Sequence, residues 1–182
     1  MELTNRKANS SQRGMSLIEL MIASLVLIVG VLGCAALIPM AIGTNSKNKQ
    51  QSNSTVIAQM TMEKIMSLPT GTLTGTITDC ATNTTTINTA GSTTGTGAAL
   101  LSSGAVDFTQ TPGSAGAPAG YYMLYTTCGT AGRISTYDVR WNVQTPSTYV
   151  KLVTVSAQLK GAGANQILFS FPVTIRSMTG GN

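Results

Sequence analysis

The chain has 182 residues, a formal net charge of +5 and no histidine; 42% of its residues are hydrophobic, 5% aromatic and 9% charged. The charged share is far below the ~25% of an ordinary soluble domain. Mean hydropathy is nevertheless +0.19, so the apolar residues are expected to gather in one segment rather than in a large core. Without histidine there is no imidazole base, no His-dependent triad and no ready set of metal ligands. No cofactor is expected, and the composition argues against an enzyme.

Residues 1–14 carry Arg6, Lys7 and Arg13 against Glu2, a short basic leader that ends at Gly14. From Leu20 to Ile42 no residue is charged. As a helix that run would be ~34 Å long at ~1.5 Å per residue, against a hydrocarbon core of ~30 Å. A membrane span is therefore expected within residues 15–43. The basic flank would keep the N-terminus cytoplasmic and send the remainder across. Lys47 and Lys49 on the far side weaken that bias, and the polar composition downstream supports it. An ordinary secretory signal places its cleavage site after the apolar run. Here the informative residues come before it: Arg13-Gly14-Met15-Ser16-Leu17-Ile18-Glu19. A lone carboxylate at that depth is costly unless paired, so Glu19 calls for a partner.

The string RGMSLIELMIASLVLIVGVLG resembles the class III leader and N-terminal helix of type IV pilins and pseudopilins. The resemblance implies that prepilin peptidase cuts between Gly14 and Met15, that Met15 is then N-methylated, and that Glu19 becomes the fifth mature residue. It also implies that Glu19 pairs with the Met15 amine of a neighbouring subunit during assembly. Met15 is a departure, because the family most often has Phe there. In a filament core of low dielectric, a carboxylate facing an amine at ~4 Å is stabilised, and the amine exists only after cleavage. Gly30 and Gly33 would let helices approach closely. Pro39 lacks an N–H and predicts a kink near Met40 or local melting. Cys34 reads as a small packing residue.

Residues 44–68 read as an amphipathic continuation of the helix. Val56, Ile57, Met60, Met62, Ile65 and Met66 follow helical spacing, Pro69 stops the run, and any interruption is expected near Gly43. Residues 69–120 are rich in Thr, Ser, Gly and Ala and read as a long variable loop that buries little, with weak strands near Leu73–Ile77 and Thr84–Asn88. Residues 121–182 alternate more clearly. Tyr121, Met123 and Tyr125 share a face. Tyr137, Val139, Trp141 and Val143 oppose Asp138, Arg140 and Asn142, and the turn QTPS follows. Val153, Val155, Ala157 and Leu159 form the next stripe, and Ile167, Phe169, Phe171, Val173 and Ile175 the last. Short turns between them predict an antiparallel meander, and Pro172 predicts an edge for the final strand. The fold class is thus α+β: a long N-terminal helix packed on an antiparallel sheet. Cys80 and Cys128 are expected to form a disulfide, since both lie in the exported part while Cys34 lies in the span.

The segment AQMTMEKI and the C-terminal pattern YDVRWNV to ILFSFPVTI resemble PilV-type minor pilins. The function implied is a minor structural subunit of a type IV pilus. The alternatives are a minor pseudopilin of a type II secretion system, or a membrane-displayed adhesive or DNA-binding module. The partners implied are prepilin peptidase, other pilin subunits through the N-terminal helix, an inner-membrane assembly platform, and the lipid bilayer before assembly. The location implied is the inner membrane first and the pilus or cell surface afterwards. Arg133, Arg140, Lys151, Lys160 and Arg176 lie singly and read as isolated solvated charges, so nucleic-acid binding is unsupported.

Overall fold

The structure, a computed structural model, describes residues 15–69, 72–129, 134–160 and 172–180. The leader with Gly14, Arg133, and Ile167, Phe169 and Phe171 of the last predicted stripe lie outside the described residues. The chain divides into two compact units, Met1–Thr44 and Asn45–Asn182. One helix, α1 (Leu17–Met66), belongs to both. It is followed by β1 (Thr74–Thr78), β2 (Thr84–Asn88), β3 (Thr96–Gly97), β4 (Tyr122–Cys128), β5 (Ile134–Ser147), β6 (Val150–Leu159) and β7 (Val173–Gly180).

In the first unit, α1 is helical through Pro39 and Gly43, so the chain neither melts near Met40 nor breaks at Gly43. The hydroxyl of Thr44 donates back to the Met40 carbonyl at 2.9 Å, which keeps that polar group satisfied within the helix. Every described side chain from Met15 to Thr44 is exposed.

In the second unit, the last turns of α1 bury Ser54, Ile57, Ala58, Thr61, Met62 and Ile65. These positions recur every three or four residues, as one face of a helix requires. That face differs from the predicted stripe. Of the predicted stripe, Ile57, Met62 and Ile65 are buried and Met60 and Met66 are partly buried against the core, whereas Val56 is 60% exposed; Ser54, Ala58 and Thr61 are buried in addition. The two buried hydroxyls bond inside the helix, Ser54 to the Gln50 carbonyl at 3.0 Å and Thr61 to the Ile57 carbonyl at 2.8 Å. Burial therefore leaves no orphaned hydroxyl there.

The main sheet is antiparallel, in the order β3-β5-β6-β7, with β4 also paired to β5. Met123 lies opposite Val139, Val139 opposite Ala157, and Val155 opposite Ile175. Val139 thus meets apolar neighbours on both sides, and Tyr137, Val139, Trp141 and Val143 are at most 1% exposed. β5 also runs through the predicted turn at 144–147. A register shift between Gln144 and Ser147 accommodates Pro146, and the turn falls at 148–149. A bulge is where a strand tolerates a residue without an N–H. β7 lies at an end of the sheet, but its strand starts only after Pro172.

The opposite face of the sheet is the larger surprise. Arg140, Asn142, Thr154 and Ser156 are also buried, at 2%, 6%, 2% and 0% exposure. Residues 98–110, predicted to be loop that buries little, cover this face. Asn142 Nδ2 donates to the Ala98 carbonyl at 2.9 Å, and Arg140 Nη1 donates to the Gln110 and Asp107 carbonyls at 2.8 and 3.2 Å. Arg140 is therefore no solvated charge. It also pairs with Asp138 at 2.7 Å and lies 4.9 Å from the Phe108 ring. The Thr-rich region contributes Ile77, Ile87, Ala98, Val106 and Ala117 to the buried set. Composition understated it because strap segments bury backbone carbonyls on charged donors rather than large side chains on one another.

Three outcomes follow for folding, all measurable by urea unfolding of the full chain in detergent micelles. Arg140→Met removes the cation beneath the strap and leaves Asp138 without a partner, so it should cost about 3–5 kcal/mol. Gly97 has φ +111°, and an added Cβ would meet the Trp141 carbonyl and the Tyr121 ring. Gly97→Ala should therefore cost about 3 kcal/mol. Gly113→Ala, at φ +88° with open space around it, should cost only about 1 kcal/mol.

Candidate assembly site

The helix begins one residue after Ser16, whose carbonyl accepts the N–H groups of Glu19 at 3.0 Å and Leu20 at 3.1 Å. Ser16 is thus the N-cap and Glu19 the third helical residue. This is the Ser-x-x-Glu spacing that suits a helix start, with an acid placed at the positive end of the dipole. Yet among the described residues the Glu19 carboxylate makes no ion pair. Met15, 62% exposed, directly precedes the cap. The geometry leaves a carboxylate one turn inside the helix, near the end at which cleavage would create an amine.

Around it the surface is unusual. Leu17 is 77% exposed, Leu25 65% and Leu32 65%, and the intervening Ile, Val and Leu residues are similarly bare. Monomeric soluble proteins rarely expose apolar patches beyond about 300–600 Å². The helix is long and apolar enough to cross a membrane. Glu19 is the one acid on this stretch.

The second unit carries a different constellation. Cys80 and Cys128 form a disulfide with Cα atoms 5.7 Å apart, across a separation of 48 residues. Beside it, Asp79 accepts three donors: Asn83 N–H at 2.8 Å, Asn83 Nδ2 at 3.0 Å, and Thr126 N–H at 3.2 Å. These bonds, the Asn83 side chain foremost, hold the Asp79 carboxyl below its ordinary value of 3.8. Asp107 is held low as well, first by the Gln110 amide and then by Thr109. The sequence reading overlooked both acids. Their signal was an Asp followed within four residues by Thr and Asn or Gln, which favours side-chain bonds to the local backbone. Among the described residues no three His, Cys, Asp or Glu side chains gather as a metal site would need.

Residues 9–35 match the prokaryotic N-terminal methylation motif. The match spans the end of the leader, Gly14, Met15, Glu19 and the apolar run as far as residue 35. It supports a subunit of type IV pilin or pseudopilin type, structural rather than enzymatic, processed at its leader and held in a membrane before assembly. No curated relative and no solved structure matches the chain significantly.

The acid sensitivity of the second unit follows from its carboxylates. Because the folded-state pKa of Asp79 lies below the unfolded one, its contribution is present above about pH 4 and is lost as pH falls through the folded value. Thermal melts between pH 5 and 2 should therefore show a smaller loss of Tm for Asp79→Asn than for the parent chain. The variant should be the less stable of the two at pH 7.

Proposed function

We propose that this chain is a minor structural subunit of a type IV pilus, assembled through its N-terminal helix. The observation that carries the reading is the first turn of α1. Glu19 lies there without an ion-pair partner among the described residues, at the head of a bare apolar helix and within the residues that match the methylation motif. Prepilin peptidase would cut between Gly14 and Met15, and Met15 would be N-methylated. The amine keeps its positive charge. In the bilayer, the apolar face of α1 is covered by lipid tails and Glu19 sits near the interface. In a filament, neighbouring helices replace the lipid, and the Glu19 carboxylate faces the Met15 amine of another subunit. At ~4 Å and an effective dielectric of ~20 that attraction is about 4 kcal/mol.

Minor rank rests on the resemblance of AQMTMEKI and the C-terminal strands to PilV-type subunits. The chain would lie in the inner membrane with its N-terminus cytoplasmic, interact there with an assembly platform and with other pilins, and reach the surface as part of the pilus. Pro39 would let α1 bend as it packs among other helices.

Two measurements test this. Mass spectrometry of the mature protein should begin at N-methylated Met15; a chain retaining Met1 would overturn the processing step. Glu19→Gln keeps side-chain size and removes the charge. It should be cleaved normally, accumulate in the membrane and be depleted about tenfold or more from sheared filaments. Incorporation at the parent ratio would show that this charge does not recruit the subunit.

A further inference from the structure

The β1–β2 hairpin shares no ladder with the five-stranded sheet, and its two ends are held by different means. At the open end, Asn88 N–H donates to the Gly120 carbonyl at 2.7 Å, and Thr89 N–H donates to the Leu73 carbonyl at 2.7 Å. Trp141 Nε1–H donates to the Asn88 carbonyl at 2.8 Å. These bonds surround a fully buried Trp141, so this end is firmly seated. At the closed end, the turn from Asp79 to Asn83 is tied to β4 by the Asp79–Thr126 hydrogen bond and by the Cys80–Cys128 disulfide. Both cysteines are exposed.

The register shows what the turn covers. Trp141 N–H donates to the Tyr121 carbonyl at 3.0 Å, so odd-numbered residues along β4 direct their backbone groups toward β5. Tyr122, Leu124, Thr126 and Cys128 direct theirs to the outer edge. Asp79 takes the outward N–H of Thr126. A sheet edge without such cover is a template for another strand. Cys128 and Gly129 also line an open groove of about 540 Å³, together with Lys49, Asn53, Met60 and Tyr137.

We propose that the Cys80–Cys128 disulfide is a redox-operated latch on a hinged hairpin, closing β1–β2 over the outer edge of β4. A dithiol reductant attacks one of the exposed sulfurs, passes through a mixed disulfide, and leaves as its own disulfide. Cys80 and Cys128 take up the two electrons and two protons as thiols. The turn then keeps at its tip the Asp79 bond and the contact of Cys80 Sγ with the Thr126 carbonyl at 3.2 Å, while Ile77 and Ile87 remain in the core contact. A two-stranded hairpin is at best marginal by itself. It therefore unseats from the tip, pivoting on the Asn88 end, while β5 and β6 stay folded. Asp79 is the second clasp, which slows opening when the disulfide is absent.

Hydrogen exchange read by mass spectrometry on the full chain in detergent micelles tests the latch, with the core strands in the same sample as reference. In oxidised protein, peptides covering 74–88 should exchange within about threefold of those covering 137–143 and 153–157. After reduction with excess dithiothreitol, the hairpin peptides should run at least about tenfold ahead of the core. The same gap should appear in a Cys80→Ser/Cys128→Ser chain. Asp79→Asn should widen the gap in reduced protein and leave it unchanged in oxidised protein. If hairpin and core accelerate together on reduction, the disulfide is a global staple and the latch is wrong. A hairpin that already runs ahead in oxidised protein, or that Asp79→Asn alone opens as fully as reduction does, overturns it equally.

Discussion

The apolar surface of α1 from Leu17 to Ile42 imposes a demand that no side chain among the described residues meets. Leaving a Leu, Ile, Val or Met in water rather than buried costs about 1.5–3 kcal/mol each, and more than a dozen of these residues are at least half exposed. Something must cover them, and two covers suit: lipid tails, or other helices of the same kind. The two differ in one respect that matters. Lipid tails offer nothing to the Glu19 carboxylate, whereas a helix with a free N-terminal amine does. On the proposed reading this single acid distinguishes one apolar surrounding from the other. It also makes cleavage of the leader a precondition for leaving the membrane.

The second unit answers a different constraint, a shortage of large side chains. Three Phe, five Tyr and one Trp serve the whole chain, so the core between α1 and the sheet is built mostly from aliphatic side chains. β5 compensates by being covered on both faces. Its odd residues pack Trp141 and three neighbours against the helix and the flanking strands. Its even residues place Arg140 and Asn142 beneath the strap at 98–110. The cation is affordable there because Asp138 neutralises it and two carbonyls accept from it, which is the condition a buried guanidinium must meet. One strand thus anchors an apolar layer and a polar one.

The same economy accounts for the tie between Cys80 and Cys128. A hairpin of mostly Thr and Gly contributes only Ile77 and Ile87 to the core, too little to hold it by burial. The Cys80–Cys128 bond holds the turn against β4 across 48 positions without needing apolar burial there. The Asp79 bonds add a polar clasp at the same point. Covalent and electrostatic ties therefore stand where hydrophobic ones are missing.

Much of this was legible in the amino-acid order. The apolar run, the basic leader and the spacing from Gly14 to Glu19 are local properties of the chain. So are the period-two stripes of β4 to β6 and the two short strands in the Thr-rich region, and local periodicity survives without knowledge of the fold. The partners of side chains far apart in sequence were not legible. Nothing near Arg140 says that residues 107 and 110 will lie over it, since those contacts span about thirty positions. Arg140 reads as an isolated solvated charge because spacing and alternation report which face is less apolar, not whether another segment will cover it. Likewise, helical spacing nominated Val56 by its apolarity. Val56 is exposed, while the polar Ser54 and Thr61 are buried beside Ala58, their hydroxyls satisfied by carbonyls within the helix. Sequence by itself determined where the long helix and most of the strands form and which end of the chain is apolar enough to cross a membrane. Tertiary structure decided which polar groups are buried, because the cost of burying them depends on partners that only the folded chain brings within hydrogen-bonding distance.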